Sequence, residues 1–228
     1  MNNERERMLR QLRAALPGAQ LPAARATIPA REIATSDDRA AMTASFQREV
    51  DALGGNCAIA AHEAAAIALL LQWLREANAQ QVLTWDDAAL PLRGLGQTLS
   101  ENGYTRIFAR VSRDAAERKT ELAALERADA GITGALAGLA DSGALALVSQ
   151  PMQARLVSLL PPMHIALLAA SRLYPTMAAF FASQPDVTRR GSNLVFIAGP
   201  SRTADIEMTL TRGVHGPKFL RVLLLEWL

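Results

Sequence analysis

The chain has 228 residues, half of them hydrophobic and a fifth charged. That length supports one substantial core, and that balance excludes a disordered chain. Its 24 basic and 22 acidic residues leave a formal charge of +2, and the basic side chains form no concentrated stripe with interleaved aromatics, so no nucleic-acid partner is expected.

The one cysteine, Cys57, excludes an internal disulfide and cannot by itself supply the four thiolates usual for an iron–sulfur cluster. Followed by Ala58-Ile59-Ala60, it reads as a buried strand residue. The first residues carry mixed charge without the apolar core of an export signal. The longest aliphatic runs, such as Ala64 to Leu71, are too short to span a bilayer. A cytoplasmic chain without a membrane span is expected.

In chain order, Leu9, Leu12 and Leu16 recur at helical spacing and predict a short amphipathic helix over 5–16. Pro17, Gly18, Pro22 and Pro29 interrupt any regular pattern, so 17–35 reads as an extended linker. The chain thereby divides into an N-terminal arm, 1–35, and an α/β domain, 36–228. A helix is predicted over 38–53, stopped by Gly54-Gly55, and a strand over 56–60. The next helix runs from His62, a capping or surface residue, to about Asn78. A strand at 81–85 and a helix at 92–101 follow, the latter ended by Asn102-Gly103. Then come a strand at 105–109 and a helix at 114–127. Uninterrupted apolar runs at Ala144–Val148 and His164–Ala170 suit strands covered on both faces, as in a parallel sheet. Tyr174–Ala182 and Thr203–Arg212 read as helices, Asn193–Ala198 and Phe219–Leu225 as strands. The alternation predicts an α/β fold: an open, mostly parallel sheet flanked by helices.

Polar and glycine residues collect where the apolar runs end, and open α/β sheets bind ligands beyond the carboxyl ends of their strands. Ala130-Gly131-Ile132-Thr133-Gly134 reads as a tight turn whose amides can hold an anion, although a plain turn needs the same residues. Asp141 and Ser142 offer a carboxylate and a hydroxyl that can abstract a proton, orient a hydroxylated substrate or simply cap a turn. Gly199-Pro200-Ser201-Arg202-Thr203 leads into a predicted helix. Ser201 or Thr203 can cap it, and free amides with Arg202 favour an anion, while Asp205 and Glu207 in the first turn oppose one. His215, in a turn with Gly216-Pro217, is placed to transfer a proton or bind a carboxylate. His164, after Pro161-Pro162, reads as a hydrogen-bonded structural residue. The histidines at 62, 164 and 215 lack zinc-site spacing. No Gly-x-Gly-x-x-Gly turn follows the first strand. Neither a metal nor a cofactor is expected.

At these segments the sequence resembles the lactate-utilisation (LUD) domain family, and within it the lactate utilisation protein C type. The resemblance spans roughly 38–226. It is carried by Gly131-Ile132-Thr133, Ala140-Asp141-Ser142-Gly143, Ser158-Leu159-Leu160-Pro161-Pro162-Met163-His164, Gly199 to Glu207, and Gly213-Val214-His215-Gly216-Pro217. It implies a fold similar to that of sugar-phosphate isomerases and coenzyme A transferases. It also implies a part in oxidising L-lactate to pyruvate with two partner proteins, one or both carrying iron–sulfur clusters. Where the family often has Glu-Thr-Gly-Thr, this chain has Asp141-Ser142-Gly143-Ala144. The acid is one methylene shorter and one hydroxyl is gone, so a covalent role for that acid is not carried over.

Three functions are in play. The first is a component of a multi-protein L-lactate oxidation system, binding a small hydroxy acid, another anionic ligand or a partner at its C-terminal loops. The second is a stand-alone enzyme acting on a sugar phosphate or an acyl-coenzyme A. The third is a non-catalytic scaffold. Asp141, Ser142 and His215 are the candidate catalytic residues. Gly131, Thr133, Gly199, Ser201, Arg202, Thr203, Asp205, Glu207 and Gly216 are the candidate binding residues.

Overall fold

A computed structural model describes residues 2–15, 38–112, 114–204, 210–213 and 215–228. The chain divides into two compact units, Met1–Ile33 and Ala34–Leu228. In the first, helix α1 (Asn2–Ala15) carries exposed Met8, Leu9 and Leu12. The linker expected over 17–35 lies outside the described residues.

The second unit opens with α2 (Arg39–Ala52), capped by the Asp38 carboxylate, which accepts the Ala40 N–H at 3.0 Å. Phe46 and Val50 are its buried residues. Gly54, at φ 81°, turns the chain into β1 (Asn56–Ala60). Next comes α3 (Glu63–Glu76), where the His62 ring Nδ1 accepts the Ala65 N–H, the capping role expected of it. β2 (Gln81–Thr84), α4 (Leu95–Glu101), β3 (Thr105–Phe108) and α5 (Ala115–Leu125) follow near their predicted positions.

The remaining elements are β4 (Ala130–Gly134), β5 (Ala137–Leu139), β6 (Ala144–Ser149), β7 (Met163–Ala169), β8 (Leu173–Tyr174), α6 (Met177–Ser183), β9 (Asn193–Ile197), β10 (Arg202–Ala204), β11 (Leu210–Arg212) and β12 (Phe219–Leu225). Six strands form one parallel sheet in the order β1-β12-β7-β4-β2-β3. The Arg221 guanidinium lies 5.6 Å from the Trp73 ring centre, so α3 covers the face carrying Arg221. Phe46 of α2 and Leu168 of β7 both close on Gly138, which puts α2 and β5 on the opposite face. Among the described residues no helix is long and apolar enough to cross a membrane.

Three expectations are corrected. Residues 130–134 are a strand, not a turn. All five are buried, and a Cβ on Gly131 would land on the Val157 carbonyl. The glycine answers to close packing, not to chain reversal. The run at 144–148 is a strand, but it lies in a second sheet, β8-β5-β6-β9, where its own pairings are antiparallel. Leu145 and Leu147 join the main core, while Ala144, Ala146 and Val148 join a smaller core built on Phe180 of α6. Its unbroken apolar character reflects cover on both faces, which antiparallel strands can also have. Finally, at both described ends of the helix expected over 203–212 the chain is extended, β10 pairing antiparallel with β11 so that Thr203 is opposite Thr211. The backbone groups pair across strands, as suits β-branched residues. Asp205 and Glu207 lie outside the described residues.

Candidate functional site

The connection after β4 opens a cavity. The Ala135 N–H still donates to Leu167 of β7, whereas the Leu136 N–H donates to Ala146 of β6, each at 2.8 Å. Within two residues the chain leaves one sheet for the other, and the sheets part. The gap is a cavity of about 810 Å³ beside the carboxyl ends of β2, β4 and β7. Topology places it there. The chain after β2 moves to β3 on one side, and the chain after β4 moves to β7 on the other. Crevices form where crossovers diverge in this way.

Buried Trp85, Gly134 and Val148 and half-buried Leu136 contribute the apolar wall. The Trp85 indole N–H donates to the Ala154 carbonyl at 3.1 Å, which fixes the ring. A Cβ on Gly134 would sit 3.2 Å from the Ala89 carbonyl oxygen, so the glycine lets the loop after β2 close over the wall. Arg93, Arg172 and Arg190 line the cavity from three separate loops, and Gln150 and Gln153 line it as well. Among the described residues the only acidic side chain lining it is Asp87. Arg106 holds that carboxylate at 2.7 and 2.9 Å. The same guanidinium donates to Thr84 Oγ1 at 2.5 Å and to the Trp85 carbonyl at 2.9 Å. With Asp87 neutralised, the remaining charged side chains lining the site are three arginines, which suits an anion.

The residues singled out in the sequence are placed elsewhere. Gly131 and Thr133 sit inside β4, where Thr133 Oγ1 lies 2.8 Å from His164 Nε2 in the core. Asp141 and Ser142 form the turn between β5 and β6, with Asp141 exposed. Extending the β6–β9 register by two residues sets Gly143 opposite Gly199. Both glycines abut the end of α2: a Cβ on Gly143 would meet the Val50 nitrogen at 2.7 Å, and one on Gly199 the Leu53 Cβ at 3.0 Å. Arg202 donates to the Leu53 carbonyl. The Ser201 N–H donates to Pro217 at 2.9 Å and its carbonyl accepts the Gly213 N–H at 3.0 Å, which joins the turn bearing half-buried Gly216 and exposed His215. The described residues of the segments 141–143, 199–203, 213 and 215–217 are thus brought together at the amino edge of the parallel sheet, where β1 and β12 begin. None of the described candidates lines the cavity at the carboxyl edge.

Trp85, Asp87, Arg93, Gln150, Arg172 and Arg190 were missed. Their only sequence signal is a polar or aromatic residue just past an apolar run. Selecting the right runs requires the strand order.

Two buried groups are chemically quiet. Burial pushes the His164 ring down to about 4, so it is neutral, and its Nδ1 has no hydrogen-bond partner among the described residues. Burial, then the nearby Asp51 carboxylate, pushes the Cys57 thiol up to about 12. Among the described residues no group of three or more His, Cys, Asp or Glu could hold a metal.

A six-stranded parallel sheet with a crevice at its switch point defines an α/β protein of the crevice-bearing class. A family model described as "LUD domain" matches residues 43–225, and the chain belongs to the LUD domain family. It is 38% identical over 148 residues to "Lactate utilization protein C" of Halalkalibacterium halodurans, covering 63% of this chain and 62% of that protein. It is 38% identical over 143 residues to the protein of the same name from Shouchella clausii, covering 61% and 60%. It is also 41% identical over 96 residues to an uncharacterised protein of Neisseria meningitidis serogroup B, covering 42% and 41%. These matches span less than two thirds of the length of the curated relatives. A crystal structure of a DUF162 family protein from Deinococcus radiodurans shares the fold, with a TM-score of 0.59 at 20% identity, over 82% of this chain and 98% of that one.

Proposed function

We propose that this chain is a component of a multi-protein L-lactate oxidation system and that it binds an organic anion in the carboxyl-edge cavity. In this reading the electron-carrying iron–sulfur clusters reside in partner proteins. The relatives named for lactate utilisation support the system. The single thiol, buried Cys57, is a poor cluster ligand, which supports the division of labour. The observation that carries the binding role is the set of three arginines lining a crevice whose one acidic side chain among the described residues is already held by Arg106. The parallel sheet with its carboxyl-edge crevice also fits the fold of sugar-phosphate isomerases and coenzyme A transferases. Reconstituted oxidation of L-lactate to pyruvate with the iron–sulfur partners is the test. The rate should drop when this chain is omitted and when Arg172 and Arg190 are both replaced by Ala. An unchanged rate without the chain would sink the proposal, and turnover of a sugar phosphate or acyl-coenzyme A by the purified chain would replace it.

A second reading concerns the amino-edge cluster. The Ser201 N–H bond to Pro217 and the Gly213 N–H bond to Ser201 tie the turn of His215 to Ser201, and Gly143 and Gly199, both packed on the end of α2, bring the turn of Asp141 and Ser142 beside them. We propose that a partner protein docks there, and that any chemistry of Asp141, Ser142 or His215 is done at that junction. Capture of the iron–sulfur partners by wild type but not by a His215→Ala, Arg202→Ala variant is the expected result.

A further inference from the structure

We infer that the carboxyl-edge cavity takes a phosphorylated organic ligand of nucleotide or sugar-phosphate size, and not lactate itself. The inference rests on the anion-binding reading above and narrows its ligand.

Size is the first argument. At about 30 Å³ per water molecule, a cavity of about 810 Å³ holds the volume of many waters. A three-carbon acid displaces only a few of them and leaves most of the wall wet. Ligand pockets of roughly 300–1,000 Å³ hold far larger molecules.

Charge is the second argument. Lactate carries one negative charge, spread over two oxygens that a single arginine fork satisfies. Here Arg93, Arg172 and Arg190 line one cavity from three loops, and Arg106 already accounts for Asp87. A phosphate ester carries about −1.5 to −2 near neutral pH and has three peripheral oxygens in a tetrahedral array. That array accepts donors from separate directions, and the three arginines stand on three separate loops. Arg190 is oriented by its own bond to Gln184 Oε1, 2.6 Å long, through Nη2. Its other guanidinium donors remain for the ligand.

The wall is the third argument. Trp85, Leu90, Pro91, Leu136 and Val148 present apolar surface beside the arginines. Gln150 donates to Gln153 at 2.9 Å, which leaves the Gln153 amide N–H groups as directional donors. A ring or ribose body against the wall, with its phosphate among the arginines, uses both parts of the cavity.

The test is calorimetric titration of the full chain with ADP, ribose 5-phosphate, citrate and L-lactate, with tryptophan fluorescence as a second readout. ADP or ribose 5-phosphate is expected to bind at least about tenfold more tightly than L-lactate or citrate, and the better of the two identifies the body of the ligand. Replacing both Arg172 and Arg190 by Ala should weaken that binding about tenfold or more, with an unchanged melting temperature because both side chains are exposed. The inference is overturned if neither phosphorylated probe binds, if citrate or lactate binds equally well, or if the double variant binds as the wild type does. A chain required for lactate oxidation that ignores both phosphorylated probes would defeat this ligand and leave the lactate reading standing. A chain that binds them yet is dispensable for lactate oxidation would do the reverse.

Discussion

Thr133 on β4 and His164 on β7 meet across neighbouring strands of the parallel sheet, Oγ1 to Nε2 at 2.8 Å, with both residues almost wholly excluded from solvent. The contact gives a histidine one hydrogen bond where it could make two, in a place that disfavours its charged form.

Stability should therefore fall in acid through His164. Below about pH 6.5 the unfolded chain's imidazole takes up a proton, while the folded ring stays neutral until about pH 4. Each step down between those limits favours unfolding, to a total on the order of 3 kcal/mol. Nothing from this group is lost above pH 6.5, where both states are neutral. Denaturant titrations of wild type and His164→Gln from pH 7.5 to pH 4 check this. The stability difference between the two should shift against the wild type by that amount, and a constant difference would refute it.

Cys57 should be unreactive in the native protein. Its thiol is buried and its pKa is pushed up to about 12, so almost no thiolate exists at pH 8. A disulfide reagent should label it only as fast as the chain opens and at once in denaturant. Rapid native labelling would contradict the packing around β1.

Two glycine substitutions should differ in size and cause. Gly131→Ala drives a methyl into the Val157 carbonyl, a backbone atom that cannot swing aside. A loss of about 3 kcal/mol or more is expected. Gly103→Ala meets nothing within 4 Å but keeps φ near +82°, which costs about 1 kcal/mol. Thermal melts of both variants give the comparison.

Arg106→Gln should weaken anion binding from outside the cavity. It frees the Asp87 carboxylate and unties Thr84 and the Trp85 carbonyl. Stability should drop by about 1–3 kcal/mol, and affinity for a phosphorylated probe should fall. Adding Asp87→Asn to that variant should restore part of the affinity, because the released charge is gone. Calorimetry on the three proteins settles it.

Asp141→Asn should leave binding at the carboxyl-edge cavity unchanged. Asp141 occupies the turn at the far end of β6 from Gln150. Any effect should appear in capture of the iron–sulfur partners. A change in probe affinity would show that the two edges communicate.

Much of the architecture was legible because burial writes its period into the residues. Phe46 and Val50 mark the inner side of α2, and the apolar runs of β7 and β12 announce strands covered on both faces. Gly131 and Gly199 show the limit. Each was read as turn chemistry, yet the first is a central strand residue pressed on Val157, while the second does turn, at φ 83°, against Leu53. A glycine needed for space and one needed for conformation look alike in a sequence. The cavity was hidden for another reason. Arg93, Arg172 and Arg190 share no spacing, and only the order β7-β4-β2 and the departure of β5 into a second sheet bring them to one place.

β12 lies between β1 and β7, although every other strand of that sheet precedes it in the chain. During biosynthesis β1 therefore waits without its one neighbour in that sheet until nearly the whole domain has left the ribosome. Contacts this distant in sequence close slowly. Any product terminated before Phe219 keeps an unpaired strand edge and should be removed by cellular proteases.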